Sequence, residues 1–451
     1  MAPRPLVPPL DRTGAPAADP PYDRRRAWLI TAMIVAFMVI NFADKSVLGL
    51  AAVPIMDELG IDNSTYGLIS SAFSLLFSLS GLLVGFLSTR ISSRTLLFAM
   101  TLLWAVAQLP VLIAATVPAL IAGRALLGAA EGPAASMSMH ALYKWFPPHR
   151  RGLPSALQIG GAALGTLIAA PVLTWIITGH GWRSAFAALA VVSALWGLLW
   201  WRVGHDGPFD HTRATPADAA PGTGPHRLPY RRLLTTGTVL GSISSAFGAA
   251  WALSLSHAWL PAYLRTELGM TPNATATTIS AVSAVSLVLL LTVSPLMDAL
   301  KSRRVSSRWS AGATQGIAVC VAGCAMAAFP FTDAAAPRLL LIALAFGTVA
   351  VAIPLHYMTA AEVVPTAQRG ALFGIVAATG TLPGLAAPFL TGRLLDTAGD
   401  PGTGYRTAFL VAALVMTAAG ALAVITVRPE HDARRLGLEP ERAPAPTGPG
   451  H

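Results

Sequence analysis

Charged residues are scarce in this chain, because Asp, Glu, Lys and Arg together make up only 12% of its 451 residues. Soluble globular proteins carry roughly 25%, so the composition excludes an ordinary soluble fold. Cysteine is scarce as well, since the sequence has only Cys320 and Cys324. Side chains four residues apart on one helix seldom reach disulfide geometry. We therefore expect two small apolar side chains here rather than a disulfide.

Motifs for nucleotide binding, metal binding or nucleophilic catalysis are missing from the sequence. It has no phosphate-binding glycine loop, and no cluster of metal-ligating residues stands out. We expect neither an enzyme nor an ATP-driven pump, and no cofactor or metal. The segment before residue 23 is polar and rich in Pro and Ala, so a secretory signal peptide is not expected either.

Long apolar segments are what the sequence has instead. Hydrophobic residues make up 54% of the chain, and windows of roughly 20 apolar residues recur, each long enough to cross a bilayer as a helix. The runs are continuous rather than alternating, which favours helices over barrel strands. We predict an all-α membrane protein with twelve transmembrane helices, near residues 28–50, 67–88, 95–115, 118–143, 153–178, 182–202, 236–262, 275–298, 309–329, 337–358, 370–393 and 405–427.

The excess of basic residues, a formal net charge of +10, follows the predicted topology. Lys and Arg collect in alternate connections, including the segments before the first helix and after the last. This bias is typical of cytoplasmic loops. It predicts a multi-pass protein of the cell membrane, plasma or inner, with both termini in the cytoplasm. The lipid bilayer is therefore an expected partner, and nucleic acid is not.

A hydrophilic stretch rich in Pro and Gly divides the predicted helices into two groups of six. The predicted organisation is a disordered cytoplasmic N-terminus (1–27), a six-helix bundle (28–202), a cytoplasmic linker (203–235), a second six-helix bundle (236–428) and a disordered cytoplasmic tail (429–451). Similar motifs follow the second and eighth helices (Gly85–Arg94 and Ser294–Arg304) and the fourth and tenth (Lys144–Gly152 and Glu362–Gly370). Such pseudo-repeats place a substrate site near the midplane between the halves.

Two opposite charges, Arg124 and Glu131, lie inside the fourth predicted helix. A charge in hydrocarbon costs from about 3 to more than 10 kcal/mol, so it needs a partner, a cavity or a task. Seven residues turn a helix through about 700°, which returns Glu131 to the face of Arg124. By depth along their helices, Asp44, Lys45 and Arg124 share one layer and Glu131 lies further along the same path. A polar pathway and a structural ion network both fit this pattern.

Several motifs together resemble the major facilitator superfamily, and within it the anion:cation symporter branch. The motifs are Arg124 with Gly128 and Glu131, Trp145-Phe146-Pro147-Pro148 with Arg151-Gly152, Asn41-Phe42-Ala43-Asp44-Lys45, Trp259-Leu260-Pro261-Ala262-Tyr263-Leu264, Gly181-Trp182-Arg183 and Gly404-Tyr405-Arg406. The resemblance implies proton-coupled symport of a small organic anion, such as a sugar acid, an aromatic acid or a dicarboxylate. It implies that Arg124 recognises the carboxylate and that Asp44 and Glu131 take protons.

The chain also departs from the family pattern. Lys45 replaces the Arg of the first helix, Phe77 stands where a Tyr is usual, and Thr89 replaces the Asp of the first cytoplasmic motif. We assign Lys45 and Phe77 to the substrate region, where these changes alter the partners of Arg124. His257 and His356 are candidates for the C-terminal half of the cavity. Conformational gating is assigned to Arg90, Arg94, Asp298, Arg303 and Arg304.

Other functions fit the same scaffold. A proton-coupled exporter or drug antiporter is compatible with Lys45 and with the altered cytoplasmic motif. A non-transporting membrane receptor is compatible with the helices, but it has no need of intramembrane acids. An integral membrane enzyme fits least, because a catalytic cluster is missing. The expected partners are a small organic anion and protons, with the proton gradient as energy source, and the expected state is a monomer.

Overall fold

The computed structural model of the protein describes residues 23–87, 91–147, 150–209, 228–303, 305–365 and 368–438. Side chains are described in these ranges except at residues 78, 82–87, 294, 298, 301, 302 and 370. Helices account for nearly all of this part of the chain, and it contains no β-strand.

Among its described residues, the N-terminal half has eight α-helices. They are α1 (Arg24–Leu50), α2 (Ala52–Leu59), α3 (Asn63–Leu87), α4 (Ser93–Ile113), α5 (Val117–Glu131), α6 (Ala134–Tyr143), α7 (Gly152–His180) and α8 (Trp182–Val203).

The C-terminal half follows a similar plan with more interruptions between its helices. It consists of α9 (Tyr230–Leu234), α10 (Gly237–Ala258), α11 (Leu260–Thr266), α12 (Pro272–Ser302), a π-helical turn (Arg308–Ala313), α13 (Thr314–Ala328), a 3-10 turn (Phe329–Phe331), α14 (Ala335–Gly347), α15 (Val349–Glu362), α16 (Arg369–Gly380), α17 (Leu382–Thr397), α18 (Pro401–Thr426) and α19 (Pro429–Arg435).

Helices occupy every position at which the sequence predicted a span. Within the described residues, ten helical segments are long and apolar enough to cross a membrane. The two remaining positions are filled by α3 and by the α5–α6 pair. The all-α membrane fold is confirmed, and the chain is a multi-pass membrane protein.

We call the end of the molecule where α1 begins and α18 ends the terminal end. We call the opposite end, where α1 ends at Leu50 and α3 begins at Asn63, the distal end. Successive long helices run in opposite directions between these two ends, and side-chain contacts agree with this. At the distal end, the Trp182 indole of α8 donates to Glu58 of α2. At the terminal end, the Trp200 indole donates to the carbonyl of Arg94.

The predicted fourth helix is not continuous. It breaks after Glu131, at Gly132 and Pro133, into α5 and α6. Proline has no N–H to donate and its ring collides with the preceding turn, which interrupts a helix. Glu131 is therefore the last residue of α5 rather than a mid-helix residue, and it lies next to the interruption between the two helices.

The C-terminal tail also differs from the prediction. The sequence predicted disorder from residue 429, but Pro429–Arg435 form α19. Asp432 of this helix is buried and accepts hydrogen bonds from the backbone N–H and hydroxyl of Thr238, at 2.7 and 2.6 Å. A buried carboxylate with two donors fixes α19 on the start of α10. The first helix likewise begins at Arg24, one turn before the predicted boundary.

The two halves pack most extensively on each other where α3 meets α17 and where α7 meets α12. Glycine permits the closest approaches. A Cβ on Gly67 of α3 would collide with the carbonyl of Pro388, and a Cβ on Gly392 of α17 would collide with that of Asn63. Backbones can touch only where a side chain is missing, so these glycines set the distance between the halves at the distal end.

Candidate functional site

Four intramembrane charges meet in the N-terminal half. Lys45 of α1 forms an ion pair with Glu131 of α5, with 3.5 Å between Nζ and Oε2. The same ammonium donates to the Oδ1 atom of Asn41, one turn earlier on α1, at 2.8 Å. Glu131 is fully buried and Lys45 keeps a small exposed fraction. Lys45 thus connects the outer layer that the sequence predicted with the deeper position of Glu131.

Asp44 and Arg124 are neighbours but do not form an ion pair. The Nη1 atom of Arg124 donates to the backbone carbonyl of Asp44 at 3.2 Å. The carboxylate of Asp44 instead accepts from the side-chain amide of Gln108 of α4 at 2.8 Å. Among the side chains that the structure describes, no carboxylate lies within ion-pairing distance of the Arg124 guanidinium.

Five polar atoms of this cluster are buried without a hydrogen-bond partner among the described residues. They are Nε of Arg124, Oδ2 of Asp44, both carboxylate oxygens of Glu131 and Nδ2 of Asn41. Buried polar groups are nearly always hydrogen-bonded, and each exception needs an explanation. An unpaired guanidinium donor is suited to a ligand oxygen, and an unpaired carboxylate oxygen is suited to a proton or a ligand hydroxyl.

Aromatic rings surround the two cations. The Lys45 ammonium lies 4.3 Å from the ring centre of Phe42 and 5.3 Å from that of Phe77. The Arg124 guanidinium lies 4.8 Å from the ring centre of Phe73. Ring faces attract cations without neutralising them, so the rings stabilise both cations and leave their positive charge available to an anion.

Small residues bring α5 to this place. A Cβ on Gly128 would collide with the carbonyl of Phe73, and one on Gly132 would collide with that of Phe77. The glycine in the Arg124–Glu131 motif therefore permits backbone contact between α3 and α5, which holds the ring of Phe73 against Arg124.

A second pair of glycines positions the other cation. On α7, a Cβ at Gly161 would lie 2.9 Å from Cβ of Met38, and one at Gly165 would lie 2.8 Å from Cβ of Phe42. This close packing holds α1 and thereby orients Lys45.

The two candidate histidines lie in different surroundings. The His257 ring of α10 is 6.3 Å from the Phe42 ring, so it reaches the edge of the charged cluster from the C-terminal half. Its Nδ1 lies 2.8 Å from the carbonyl of Leu253. His356 of α15 is buried and packs on Tyr357 at 4.4 Å. No described contact joins His356 to the cluster, and the roles of both remain predictions.

The predicted gating residues are only partly described. Arg90 and Arg304 lie outside the described residues, as does the side chain of Asp298. Arg94 donates to the carbonyl of Trp201 and lies 4.5 Å from its ring, which joins α4 to α8 within one half. Arg303 is exposed. Their gating role remains a prediction.

Direct contacts join the two halves at the distal end. Asp396 of α17 accepts hydrogen bonds from the backbone N–H groups of Asn63 and Ser64 (3.1 and 2.7 Å), from the Asn63 amide (2.9 Å) and from the Ser64 hydroxyl. The Tyr66 hydroxyl lies 3.0 Å from the carbonyl of Ala258, and its ring packs on Trp259. The distal end is therefore closed.

Two polar residues of the cluster were given no role from the sequence. Asn41 appeared only as part of a motif, although it precedes Lys45 by four residues, a spacing that places both on one helix face. Gln108 was not among the predicted site residues. Its partner, Asp44, lies on another helix and could not be read from local spacing.

The sequence matches the family model of the Major Facilitator Superfamily over residues 33–349 and 275–449. Curated relatives include a hexuronate transporter of Bacillus subtilis, 28% identical over 232 residues, with 51% of this chain and 55% of that protein covered. Another is a probable sulfoacetate transporter, SauU, of Cupriavidus necator, 29% identical over 250 residues, with 53% and 58% covered.

A D-galactonate transporter of Escherichia coli is 28% identical over 265 residues, with 55% of this chain and 61% of that protein covered. The chain thus spans somewhat over half the length of these curated relatives. All three are named as transporters, in agreement with the expectation that the chain is not an enzyme.

Solved structures show the same fold. A D-xylose-proton symporter superposes with a TM-score of 0.72 at 17% identity, covering 89% of this chain and 98% of that one. A bacterial homologue of the human lysosomal transporter Spinster superposes with a TM-score of 0.71 at 17% identity, covering 94% and 100%. At this identity the likeness concerns the fold alone.

Proposed function

The chain belongs to the Major Facilitator Superfamily, and from this membership and the charged cluster we propose that it is a secondary active transporter of a small organic anion. In this proposal the anion crosses the membrane together with protons, by alternating access, and the energy comes from the proton gradient. The protein lies in the cell membrane with both termini in the cytoplasm, as the distribution of basic residues predicts.

The observation that carries the proposal is the state of Arg124. Its guanidinium is buried in an apolar helix, has no described carboxylate partner and has an Nε–H without an acceptor. A permanent charge inside a membrane protein is costly unless it is compensated. A substrate carboxylate supplies that compensation, because the planar guanidinium fork can hold both carboxylate oxygens.

The names of the relatives support this substrate class. Hexuronate and galactonate are sugar carboxylates, and sulfoacetate carries a carboxylate and a sulfonate. What they share is a small polar molecule with an anionic group. For this chain we propose a small organic carboxylate. Lys45 attracts it as a point charge, Arg124 binds it by paired hydrogen bonds, and Phe42, Phe73 and Phe77 limit its size.

Coupling to protons follows from the sum of charges in the cluster. Lys45 and Arg124 carry two positive charges, and Asp44 and Glu131 carry two negative charges when both are ionised. The cluster is then neutral and has no net attraction for an anion. One bound proton leaves a net charge of +1, which matches one carboxylate. Loading of the proton and loading of the anion therefore favour each other, and such coupling is reciprocal.

Glu131 and Asp44 take different parts in this scheme. Glu131 is ion-paired with Lys45, so a proton on Glu131 frees the ammonium for the substrate. Asp44 keeps one oxygen on Gln108 and has its other oxygen unpaired. A proton on that oxygen neutralises the carboxylate without breaking the Gln108 hydrogen bond.

The test is uptake into proteoliposomes with an imposed proton gradient. Radiolabelled glucuronate, galactonate and sulfoacetate are offered beside glucose as an uncharged control. We expect at least one acid to accumulate above its equilibrium level, and a protonophore to abolish the accumulation. Binding without flux would favour a receptor. Absence of acid uptake together with efflux of cationic dyes would favour a drug antiporter and overturn the proposal.

Two variants assign the roles. In Glu131→Gln, exchange of labelled for unlabelled substrate should continue while gradient-driven accumulation is lost. Glu267→Gln, which removes a carboxylate from the distal end outside the cluster, serves as the control. Arg124→Lys should weaken substrate binding about tenfold or more, because loss of one charge-assisted hydrogen bond costs about 1.5–3 kcal/mol. Wild-type accumulation in the first variant, or unchanged affinity in the second, would remove that residue from the scheme.

A further inference from the structure

A groove runs along the outside of α1, between α7 and α8. Its volume is about 610 Å³, its floor follows α1 from Trp28 to Ile40, and Leu157 of α7 and Val192 of α8 form its walls. Both wall side chains are exposed. Ala32 and Ala36 on the floor are too small to fill the space between the walls.

The length of the groove matches one leaflet of a bilayer. The twelve-residue step from Trp28 to Ile40 corresponds to about 18 Å at 1.5 Å per residue. Half of a hydrocarbon core of about 30 Å is about 15 Å. An acyl chain that enters beside Trp28 therefore ends near the midplane, where the groove also ends.

A pair of arginines continues the face of α1 that forms the floor. Arg24 and Arg25 precede Trp28 by four and three residues, the spacings that place residues on one helix face, and both are exposed. Arg26 lies on another face, where its guanidinium approaches His205 at 3.4 Å and the Trp145 ring at 5.8 Å. Two positive charges therefore stand one helical turn beyond the apolar groove.

We propose that this groove binds one anionic phospholipid, with an acyl chain between α7 and α8 and the headgroup phosphate on Arg24 and Arg25. Arginine binds phosphate through paired N–H donors. Tryptophan at the mouth of the groove is typical of the membrane–water interface. A second copy of the chain fits less well, because a two-fold axis along the membrane normal brings both arginine pairs together and like charges repel. The site is independent of the transport function proposed above.

The experiment titrates the purified full-length protein, in an uncharged detergent, with phosphatidylglycerol or phosphatidylcholine. Thermal unfolding and native mass spectrometry report binding. We expect phosphatidylglycerol to raise the unfolding temperature more than phosphatidylcholine does, and to appear as a single adduct on the monomer. Free glycerol phosphate should have no effect, because it lacks the acyl chain. Equal effects of the two lipids, or full protection by glycerol phosphate, would overturn the proposal.

Variants separate the headgroup from the chain. The double variant Arg24→Gln/Arg25→Gln should bind phosphatidylglycerol about 30-fold more weakly, since each basic residue near an anionic headgroup contributes about 1 kcal/mol and 1.4 kcal/mol is tenfold. The control Arg434→Gln/Arg435→Gln removes two exposed charges at the same end and should keep the wild-type preference. Retained preference in the first variant, or its loss in the control, would refute the assignment.

The groove itself is tested by Ala32→Phe, which fills the floor at an exposed position and leaves both arginines in place. It should reduce binding of both lipids and keep the ratio between them. Unchanged lipid binding would show that the acyl chain of the lipid lies elsewhere and would refute this part of the proposal. A mass corresponding to two copies, lost in this variant while lipid adducts persist, would assign the groove to a dimer contact instead.

Discussion

Asp396 is the residue at which one carboxylate joins the two halves. It accepts from the backbone N–H groups of Asn63 and Ser64 and from both of their side chains, at the first turn of α3. The carboxylate thus acts as a helix cap supplied by the opposite half. We predict that Asp396→Ala shifts the protein away from the state that is closed at the distal end.

The magnitude follows from the exposure of the contact. Asp396 lies at an exposed position, so the four bonds do not contribute the energy of buried ones. Loss of a helix cap costs about 0.5–2 kcal/mol. Only the distal-closed state contains this cap, because opening separates Asn63 from Asp396. An effect of about 0.5–2 kcal/mol corresponds to a shift of roughly 2-fold to 30-fold in the equilibrium between the two states.

The assay measures the distance between spin labels at Gly179 of α7 and Gly399 after α17. Both positions are at the distal end, and a Cβ at either meets nothing within 4 Å. Cys320 and Cys324, the only native cysteines, are replaced by serine. The fraction of long distances should increase in Asp396→Ala relative to the parent protein.

Asp400 provides a matched control. It caps α18 by accepting from the backbone N–H and hydroxyl of Thr403 at 2.9 and 2.6 Å, within one half. Asp400→Ala should lower thermal stability and leave the distance distribution unchanged. The reasoning fails if Asp396→Ala leaves the distribution unchanged, or if Asp400→Ala changes it equally.

Three further outcomes are expected. Gly128→Ala should lower the free energy of unfolding by about 1–3 kcal/mol, because its Cβ collides with the carbonyl of Phe73, whereas Gly179→Ala has open space and should be neutral or stabilising. Hydrogen bonds from the neighbouring indole and guanidinium lower the pKa of Glu58 below 4.5. The difference in unfolding temperature between wild type and Glu58→Gln should therefore be present at neutral pH and shrink below about pH 4.5. A difference that does not depend on pH would contradict this. Gln108→Leu removes the only described donor to its partner carboxylate and should shift the pH dependence of uptake, and an unchanged profile would show that the amide only packs.

Much of the architecture could be predicted from local sequence because the bilayer imposes a simple rule. Every spanning segment must satisfy its own backbone hydrogen bonds in hydrocarbon, so about twenty apolar residues indicate a helix wherever they occur. The same rule makes an isolated charge conspicuous, which is why Arg124 and Glu131 stand out in the fourth helix. Breaks at proline and glycine were harder to place, and the interruption between α5 and α6 was missed.

The pairing of the charges could be predicted only in part. Depth along each helix placed Asp44, Lys45 and Arg124 together, and they do lie together. Depth does not say which way each side chain points, however. The Arg124 guanidinium reached a backbone carbonyl rather than the Asp44 carboxylate, and Lys45 reached Glu131. The tail after Pro429 was misjudged for a related reason, since the donors that hold Asp432 belong to α10, almost two hundred residues earlier.

The sequence by itself determined the membrane-spanning helices, the division into two halves and the identity of the intramembrane charges, because these depend on hydrophobicity and spacing along one segment. Only the tertiary structure decided which charges pair, which end of the molecule is closed and where the exposed groove on α1 lies. These depend on the rotation of each helix about its axis and on how closely two backbones approach. Glycines such as Gly128 and Gly67 control that approach through contacts with distant parts of the chain.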